Sequence, residues 1–276
     1  MDALRQIEEW PAEHAAAGVA SAEKVIAEHG DLERRFGWGS VTKPLVAYAT
    51  LIAAEEGVVD LDEPAGPEGS TVRHLLAHAS GLAWDSPQPL SKPGERRVYS
   101  NTGYIALAEH VAARAEMPFS DYLRAAVLEP LGLGATLEGD AASGIVGTLG
   151  DALRFCREAL QPTLIAAETL AEATSVQFPG LDGVLPGFGR QTPNDWGLGF
   201  ELRDHKSPHW TGSLNSPGTY GHFGSKPGTA TFLWIDPERK LVAAALADKS
   251  FGDWARAAWP VLSDAVLSEE SRAAAG

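Results

Sequence analysis

Apolar residues recur every three or four positions from residue 41 to residue 56, the spacing that places them on one face of an α-helix. Gly57 follows this run and ends it. Pro44 is tolerated only in the first turn of a helix, so the helix must begin close to Ser40. Further helical patterns span residues 72–79, 102–116 and 120–129.

Both ends of the chain instead carry short apolar runs separated by Gly, Pro, Asn and Asp, which is typical of strands and turns. Predicted strands lie at 15–21, 24–28, 197–202, 229–235 and 241–247, and a closing helix at 254–267. Strands at both ends around a helical middle predict one sheet assembled from distant segments, with an α-helical insertion. We therefore expect a single catalytic domain over 1–276, with an α/β part at about 1–60 and 200–276 and a helical part at about 61–199.

The composition narrows the function classes. The chain has 276 residues, 44% of them hydrophobic, which is typical of a folded globular protein. Its 22 Lys and Arg against 37 Asp and Glu give a net charge of -15, which repels nucleic acid and anionic lipid. The sequence has no signal peptide pattern and no run of about 18 apolar residues, so we expect a cytoplasmic protein without a membrane partner.

Cysteine and histidine do not indicate a metal or disulfide framework. The single cysteine, Cys156, has no intramolecular partner and is expected to be a buried bystander. Two histidine pairs, His74 with His78 and His205 with His209, have the spacing of helical metal ligands. Neither pair has an accompanying Glu or an evident third ligand, so we expect structural or solvent-facing roles.

A serine and a lysine three residues apart carry the candidate chemistry. On a helix this spacing puts Ser40 and Lys43 on one face, where a desolvated amine can take the serine proton. Ser21 and Lys24 have the same spacing but lie in a predicted hairpin, whereas Ser40 opens a helix whose N-terminus offers free N–H groups to an oxyanion.

Two later segments could complete a site. Tyr99 and Asn101 stand directly ahead of a predicted helix and supply a phenol and an amide for a proton relay with Lys43. The segment 221–225 (GHFGS) opens a strand in which glycines let a substrate approach the backbone.

In their order and spacing, these motifs resemble the serine β-lactamase and penicillin-binding protein superfamily, particularly its class C-like esterases and D-alanyl carboxypeptidases. The resemblance spans residues 38–248 and rests on residues 40–45, 71–82 (TVRHLLAHASGL), 93–107 (PGERRVYSNTGYIAL), 129–133, 196–202 (WGLGFEL) and 221–236. It implies a β-lactamase-like α/β (α+β) fold, in which helices flank a central antiparallel sheet built from both chain ends.

The resemblance also implies roles for individual residues and a double displacement through an acyl-enzyme. Ser40 corresponds to the acylated nucleophile, Lys43 to its activating partner and Tyr99 to the phenolic acid or base. The remaining matches concern the substrate: Asn101 as the amide that binds it, His222 as the first residue of the third motif, Gly224 within that motif, and Ser225 with Ser40 as backbone N–H donors of the oxyanion hole.

Two departures in the third motif bear on the substrate. Phe223 replaces the usual Thr or Ser, and His222 stands where Lys or His opens the motif. Both changes weaken the recognition of a carboxylate, so neutral esters or small amides are favoured over β-lactams. No metal or organic cofactor is implied.

Several alternatives stay open at this point. The same acyl-enzyme could serve an acyltransferase, a β-lactamase or a D-amino-acid peptidase, and the altered third motif is also compatible with a non-catalytic binding protein. The sequence leaves the oligomeric state open.

Overall fold

A helix without a polar face forms the centre of the molecule. In the computed structural model, which describes residues 1–275, helix α1 spans Thr42–Glu55, and every residue from Thr42 to Ala53 is buried. Such a helix is surrounded by protein on all sides. It therefore gives the residues of its first turn a fixed position inside the fold.

In the part of the chain that the structure describes, six further helices surround α1 or cover the sheet. A 3-10 helix at Asp2–Glu9 precedes them, and the end of α4 continues as a π-helix over Arg124–Leu128. The helices are α2 (Val72–Leu76), α3 (Asn101–Ala115), α4 (Phe119–Leu123), α5 (Leu149–Leu160), α6 (Ala167–Ala173) and α7 (Asp253–Ala275).

The central sheet has six antiparallel strands in the order β2-β1-β11-β10-β9-β8. Strand β1, from the start of the chain, pairs with β11, from its end, with Ala15 opposite Ala247. The strands of this sheet are β1 (Ala15–Ala20), β2 (Val25–Gly30), β8 (Glu201–Leu202), β9 (Tyr220–Lys226), β10 (Thr229–Asp236) and β11 (Leu241–Ala247). Two small sheets contain β3 (Phe36–Gly37), β4 (Thr136–Leu137) and β5 (Ile145–Gly147), and β6 (Gly183–Leu185) with β7 (Gly189–Gln191).

Alternating side chains of the sheet belong to two separate cores. On β10, Leu233 and Ile235 pack into the core that contains α1 and α5, whereas Phe232 and Trp234 pack into the core that contains α7. This alternation follows from the two-residue period of a strand. The sheet is therefore covered by helices on both faces, which is why its strands are apolar at nearly every position.

The predicted architecture is confirmed, and its details are refined. The sheet draws all its strands from 1–60 and 200–276, and helices α2 to α6 lie between those segments. Of the predicted strand at 197–202, only Glu201–Leu202 is a strand. Helices α5 and α6 were not predicted. Within residues 1–275, no helix combines the length and apolar character needed to cross a membrane.

Candidate active site

Ser40 lies in a 3-10 turn, Gly39–Val41, directly before α1. Its side chain does not cap the helix, since the N-cap position is Val41 and no side-chain cap bond forms there. Gly39 has a φ of 53°, a left-handed conformation that favours glycine. The tight turn therefore leaves the Ser40 hydroxyl for other partners.

Lys43 connects three segments of the chain through its amine. Its Nζ lies 3.1 Å from Ser40 Oγ and donates to Asn101 Oδ1 at 2.7 Å and to the Ala142 carbonyl oxygen at 2.9 Å. A neutral amine has two N–H bonds and one lone pair. Since the amide and carbonyl oxygens can only accept, they take the two N–H bonds, and the lone pair is left for the Ser40 hydroxyl.

The surroundings of Lys43 favour this neutral form. The side chain is completely buried, and burial holds its pKa well below the ordinary value of 10.5, although the charge of Asp140 opposes the shift. The amine also lies 4.8 Å from the centre of the Tyr99 ring. Lys43 is thus placed to act as a base toward Ser40.

Tyr99 supplies a buried phenol beside the same hydroxyl. Burial raises its pKa above the usual 10, and a hydrogen bond with the Ser40 side chain acts in the opposite direction. The phenol is therefore protonated at neutral pH. A protonated phenol in contact with Ser40 can give a proton to the oxygen that leaves the acyl carbon.

The start of α3 fixes the amide that contacts Lys43. Ser100 is the N-cap residue, its Oγ accepting the Gly103 N–H at 2.9 Å and donating to the Ala83 carbonyl at 2.6 Å. Asn101, the first residue of the helix, is thereby held against Lys43. Because its Oδ1 already accepts from Lys43, its Nδ2 group is the part that can donate to a substrate.

His78 belongs to this site, although the sequence predicted only a structural or solvent-facing role. Its backbone carbonyl accepts the Val98 N–H at 2.9 Å, and its Nδ1 accepts the Ser100 N–H at 3.1 Å. Its ring packs against the Tyr99 ring at an interplanar angle of 39°, with centroids 4.4 Å apart. His78 thus holds the residues on both sides of Tyr99. Burial keeps its pKa well below 6.5, and a neutral ring is what the Nδ1 acceptor requires.

Strand β9 comes into direct contact with the Ser40 turn. β8 pairs with β9 only at residues 220 and 221, so the rest of that edge of β9 is open toward the turn. A Cβ atom built on Gly224 would lie 2.0 Å from the Trp38 carbonyl oxygen and 3.0 Å from the Ser40 nitrogen. One built on Gly39 would lie 3.0 Å from the Ser225 nitrogen. Only glycine at positions 39 and 224 permits this close approach. The approach brings the backbone nitrogens of Ser40 and Ser225 near each other.

His222 is neutral and fully buried. Burial lowers its pKa to about 3, with a further contribution from Lys43. Its Nδ1 lies 2.6 Å from the Phe223 carbonyl oxygen, which can only accept, so the proton is on Nδ1 and the lone pair is on Nε2. The third motif therefore offers a hydrogen-bond acceptor and no positive charge.

A pocket of about 240 Å³ opens above Ser40. Its wall includes the predicted residues Tyr99, His222 and Ser225. Phe223, the other departure in the third motif, packs against Phe251 with ring centroids 5.4 Å apart and forms part of the apolar lining. The fold thus brings the predicted site residues together, although Lys43, Asn101 and Gly224 lie behind the residues that line the pocket.

The other histidines have protein partners of their own. His74 Nδ1 lies 2.8 Å from Thr71 Oγ1, and His209 contacts Glu201 and Thr211 at 2.7 Å each. His205 is exposed. Elsewhere among the described residues, the ligand atoms of Glu13, His14 and Asp248 lie within 4.8 Å of one another on the surface, without further indication of an ion.

Comparison with known proteins indicates the family of the chain. A family model described as Beta-lactamase matches residues 9–267. Penicillin-binding protein 4* of Bacillus subtilis is 29% identical over 134 residues, a match that covers 37% of this chain and 30% of that protein. The chain therefore spans only about a third of the length of this curated relative.

Two solved structures extend the comparison. The crystal structure of a beta-lactamase (Mb2281c) from Mycobacterium bovis is 54% identical, with a TM-score of 0.94, and the match covers 97% of this chain and 98% of that one. EstCE1, described as a hydrolase with promiscuous acyltransferase activity, is 17% identical with a TM-score of 0.78 and 96% of both chains covered. The second likeness shows the fold alone.

Proposed function

The chain belongs to the beta-lactamase family, and from that premise we propose that it is a serine hydrolase that cleaves neutral esters, or small amides, through an acyl-Ser40 intermediate. The observation that carries the proposal is the buried Lys43 amine, 3.1 Å from Ser40 Oγ with its two N–H bonds already engaged elsewhere. We retain the prediction of a cytoplasmic location.

The first half of the reaction forms the ester of Ser40. Lys43 takes the hydroxyl proton as Ser40 Oγ attacks the substrate carbonyl, and the backbone N–H groups of Ser40 and Ser225 stabilise the negative oxygen that develops. When the tetrahedral intermediate collapses, the bond to the alcohol breaks and Tyr99 gives that alkoxide its proton. The proton held by Lys43 then restores the phenol.

The second half repeats these steps with water. Lys43 or Tyr99 takes a proton from the water as it attacks the acyl carbon, and the Ser40 oxygen recovers a proton on leaving. The net reaction consumes one ester and one water and releases an acid and an alcohol. No cofactor takes part in this scheme.

The third motif is the reason for proposing neutral substrates. A carboxylate in the pocket would meet the uncharged His222 ring and the side chain of Phe223 instead of an ammonium and a hydroxyl. Arg256 lies at the pocket wall, but its guanidinium is paired with Asp253. Burying a carboxylate without a cationic partner is unfavourable.

Two rival activities would use the same acyl-Ser40 intermediate. β-Lactam hydrolysis is favoured by the beta-lactamase description of the 54% identical M. bovis protein. Acyl transfer to an alcohol or amine differs from hydrolysis only in the acceptor of the acyl group. A nitrocefin assay beside a short-chain ester panel distinguishes β-lactam hydrolysis from ester hydrolysis. Products that depend on an added alcohol or amine distinguish acyl transfer from hydrolysis.

Labelling with a fluorophosphonate, followed by intact-mass measurement, tests the nucleophile. We expect one adduct per chain, lost in Ser40→Ala and retained in Ser21→Ala. Ser21 is the matched control because it has the same spacing to a lysine, but its Oγ is exposed and hydrogen-bonded to Glu23 at 2.7 Å. A folded protein that takes up no label would instead be a binding protein with a similar pocket.

A further inference from the structure

A second, larger cavity adjoins the Ser40 pocket. It has a volume of about 720 Å³ and shares Trp84, Tyr99 and Pro186 with that pocket. Since the two cavities have walls in common, a molecule whose ester group lies at Ser40 can extend from one into the other. We call the larger cavity the outer cleft.

The volumes decide which cavity holds the bulk of a substrate. Sites that enclose a whole small ligand measure about 300–1,000 Å³. The Ser40 pocket, at about 240 Å³, is below this range, and the outer cleft, at about 720 Å³, is within it. The pocket can thus enclose only a small ester, and the chain of a longer ester would extend into the outer cleft.

The outer cleft exposes large apolar side chains to solvent. Leu90 is 58% exposed, Val184 is 59% exposed and Trp84 is 45% exposed, and all three line it. Single apolar residues on a surface are ordinary, but a group that surrounds a concave site next to a nucleophile indicates a binding surface.

The floor of the outer cleft is rigid. Arg97 is buried, and its guanidinium donates to the carbonyl oxygens of Ala77, Gln177 and Asn194 at 2.6, 2.7 and 3.1 Å. Its backbone N–H donates to Asp182 at 2.8 Å, next to a parallel bridge with Gly183. The two walls are therefore held together before any substrate binds.

The exposed charged groups along the outer cleft each have a contact within the protein. Arg190 pairs with Asp182 at 2.8 Å, Arg96 donates to the Leu90 carbonyl oxygen at 3.3 Å, and Glu95 accepts the Lys92 N–H at 3.1 Å. These groups form a polar rim, and the apolar side chains described above form the surface along which a chain can lie.

We propose that the outer cleft binds an extended apolar chain of the ester substrate, either in its acyl part or in its alcohol part. This inference rests on the proposed esterase function. It assigns the substrates to the class of medium- to long-chain aliphatic esters, with the reacting carbonyl at Ser40 and the chain along Trp84, Leu90 and Val184.

Two ester series test the proposal and show whether the apolar chain that binds belongs to the acyl part or the alcohol part of the ester. p-Nitrophenyl esters from acetate to octanoate lengthen the acyl part, and acetates from ethyl to octyl lengthen the alcohol part, all below their micelle concentrations. Complete burial of one methylene changes kcat/KM by roughly fourfold. For a cleft that is open on one side, we expect a total rise of at least about tenfold in one or both series.

Val184→Asp is the diagnostic variant, and Val261→Asp is its matched control. Val261 is 58% exposed, on the closing helix α7. We expect Val184→Asp to lower the octanoate-to-acetate ratio of kcat/KM, or the corresponding octyl-to-ethyl ratio, at least about fivefold, and Val261→Asp to leave both ratios unchanged. Flat or falling profiles in both series, or equal effects of the two variants, would overturn the proposal.

Binding without turnover separates this inference from the proposed function. Titration calorimetry of Ser40→Ala with octyl acetate and with ethyl acetate should show tighter binding of the longer ester, weakened when Val184→Asp is added. If the wild-type protein fails to hydrolyse every ester but this difference persists, the esterase proposal fails and the outer cleft stands. Equal binding of the two esters would contradict the proposal that the outer cleft binds the apolar chain, whatever the turnover.

Discussion

The His78 ring lies against the Tyr99 ring with centroids 4.4 Å apart, while His78 Nδ1 accepts the N–H of the next residue, Ser100, at 3.1 Å. His78 adopts a φ of 54°, a left-handed conformation that is uncommon for a residue with a side chain. A strained backbone that positions an acid or base is typical of active sites.

Replacing His78 should therefore impair the chemical step more than substrate binding. We expect His78→Ala to lower kcat about 10- to 100-fold with a smaller change in KM, because Tyr99 loses the ring that packs against it and Ser100 loses the acceptor for its N–H. Asn tolerates the left-handed conformation and keeps an acceptor, so His78→Asn should recover part of kcat. Equal losses in both variants, accompanied by equal falls in melting temperature, would indicate a role in folding only.

Removing either proton-transfer group should slow ester hydrolysis strongly. We expect Lys43→Ala and Tyr99→Phe each to reduce turnover of a p-nitrophenyl ester about 100-fold or more. Tyr122→Phe is the control, since its hydroxyl bonds to Glu56, which lies at the C-terminal end of α1, opposite Lys43. Wild-type rates in the Lys43 or Tyr99 variant would refute the assigned role.

The contact between Gly224 and the Ser40 turn predicts that position 224 requires glycine. An added Cβ would lie 2.0 Å from the Trp38 carbonyl oxygen, so Gly224→Ala must displace β9 from the Ser40 turn. We expect a loss of about 100-fold or more in kcat, the effect of losing an oxyanion donor. At Gly150, in α5, the nearest atom to an added Cβ is 3.7 Å away, and Gly150→Ala should retain full activity. Comparable activity in the two variants would argue against the oxyanion assignment.

Buried His222 predicts a loss of stability in acid. The unfolded chain binds a proton on this imidazole below about pH 6.5, whereas the folded chain does so only near pH 3, because burial lowers its pKa to about 3. Stability from this group is therefore complete above pH 6.5 and falls as the pH decreases toward 3.

Between pH 8 and pH 5 this effect amounts to about 2 kcal/mol in the free energy of unfolding. Urea denaturation at several pH values measures it, and His222→Gln should have a correspondingly smaller slope. Parallel curves for the two proteins would show that another group causes the acid sensitivity.

The local part of the site could be predicted from the sequence. Ser40 and Lys43 are three residues apart, Ser40 in the 3-10 turn directly before α1 and Lys43 in its first turn, and Pro44 marks where that helix begins. The partners of Lys43 could be only partly inferred: Asn101 came from the motif, but the Ala142 carbonyl belongs to a loop without a residue pattern. Because every residue has a backbone carbonyl, the sequence does not show which carbonyl will make such a contact.

His78 shows that a spacing along the chain does not identify the role of a residue, and no metal role was expected for it. Its four-residue spacing from His74 is a metal-ligand spacing, yet α2 ends at Leu76, so His78 lies beyond the helix and its ring turns toward Tyr99. Helix α5 was missed although Thr148 and Asp151 form a capping box. That signature was present in the sequence, whereas the direction of the His78 ring depends on contacts between distant segments.

The pairing of β1 with β11 has a consequence for synthesis. Ala15 is translated well before its partner Ala247, and the edge of β1 that pairs with β11 has no neighbour until Ala247 has emerged. The Ser40 turn likewise meets β9 only after β9 has been translated. A product truncated before β9 would therefore lack the proposed oxyanion site, and its unpaired β1 edge would favour strand-mediated aggregation.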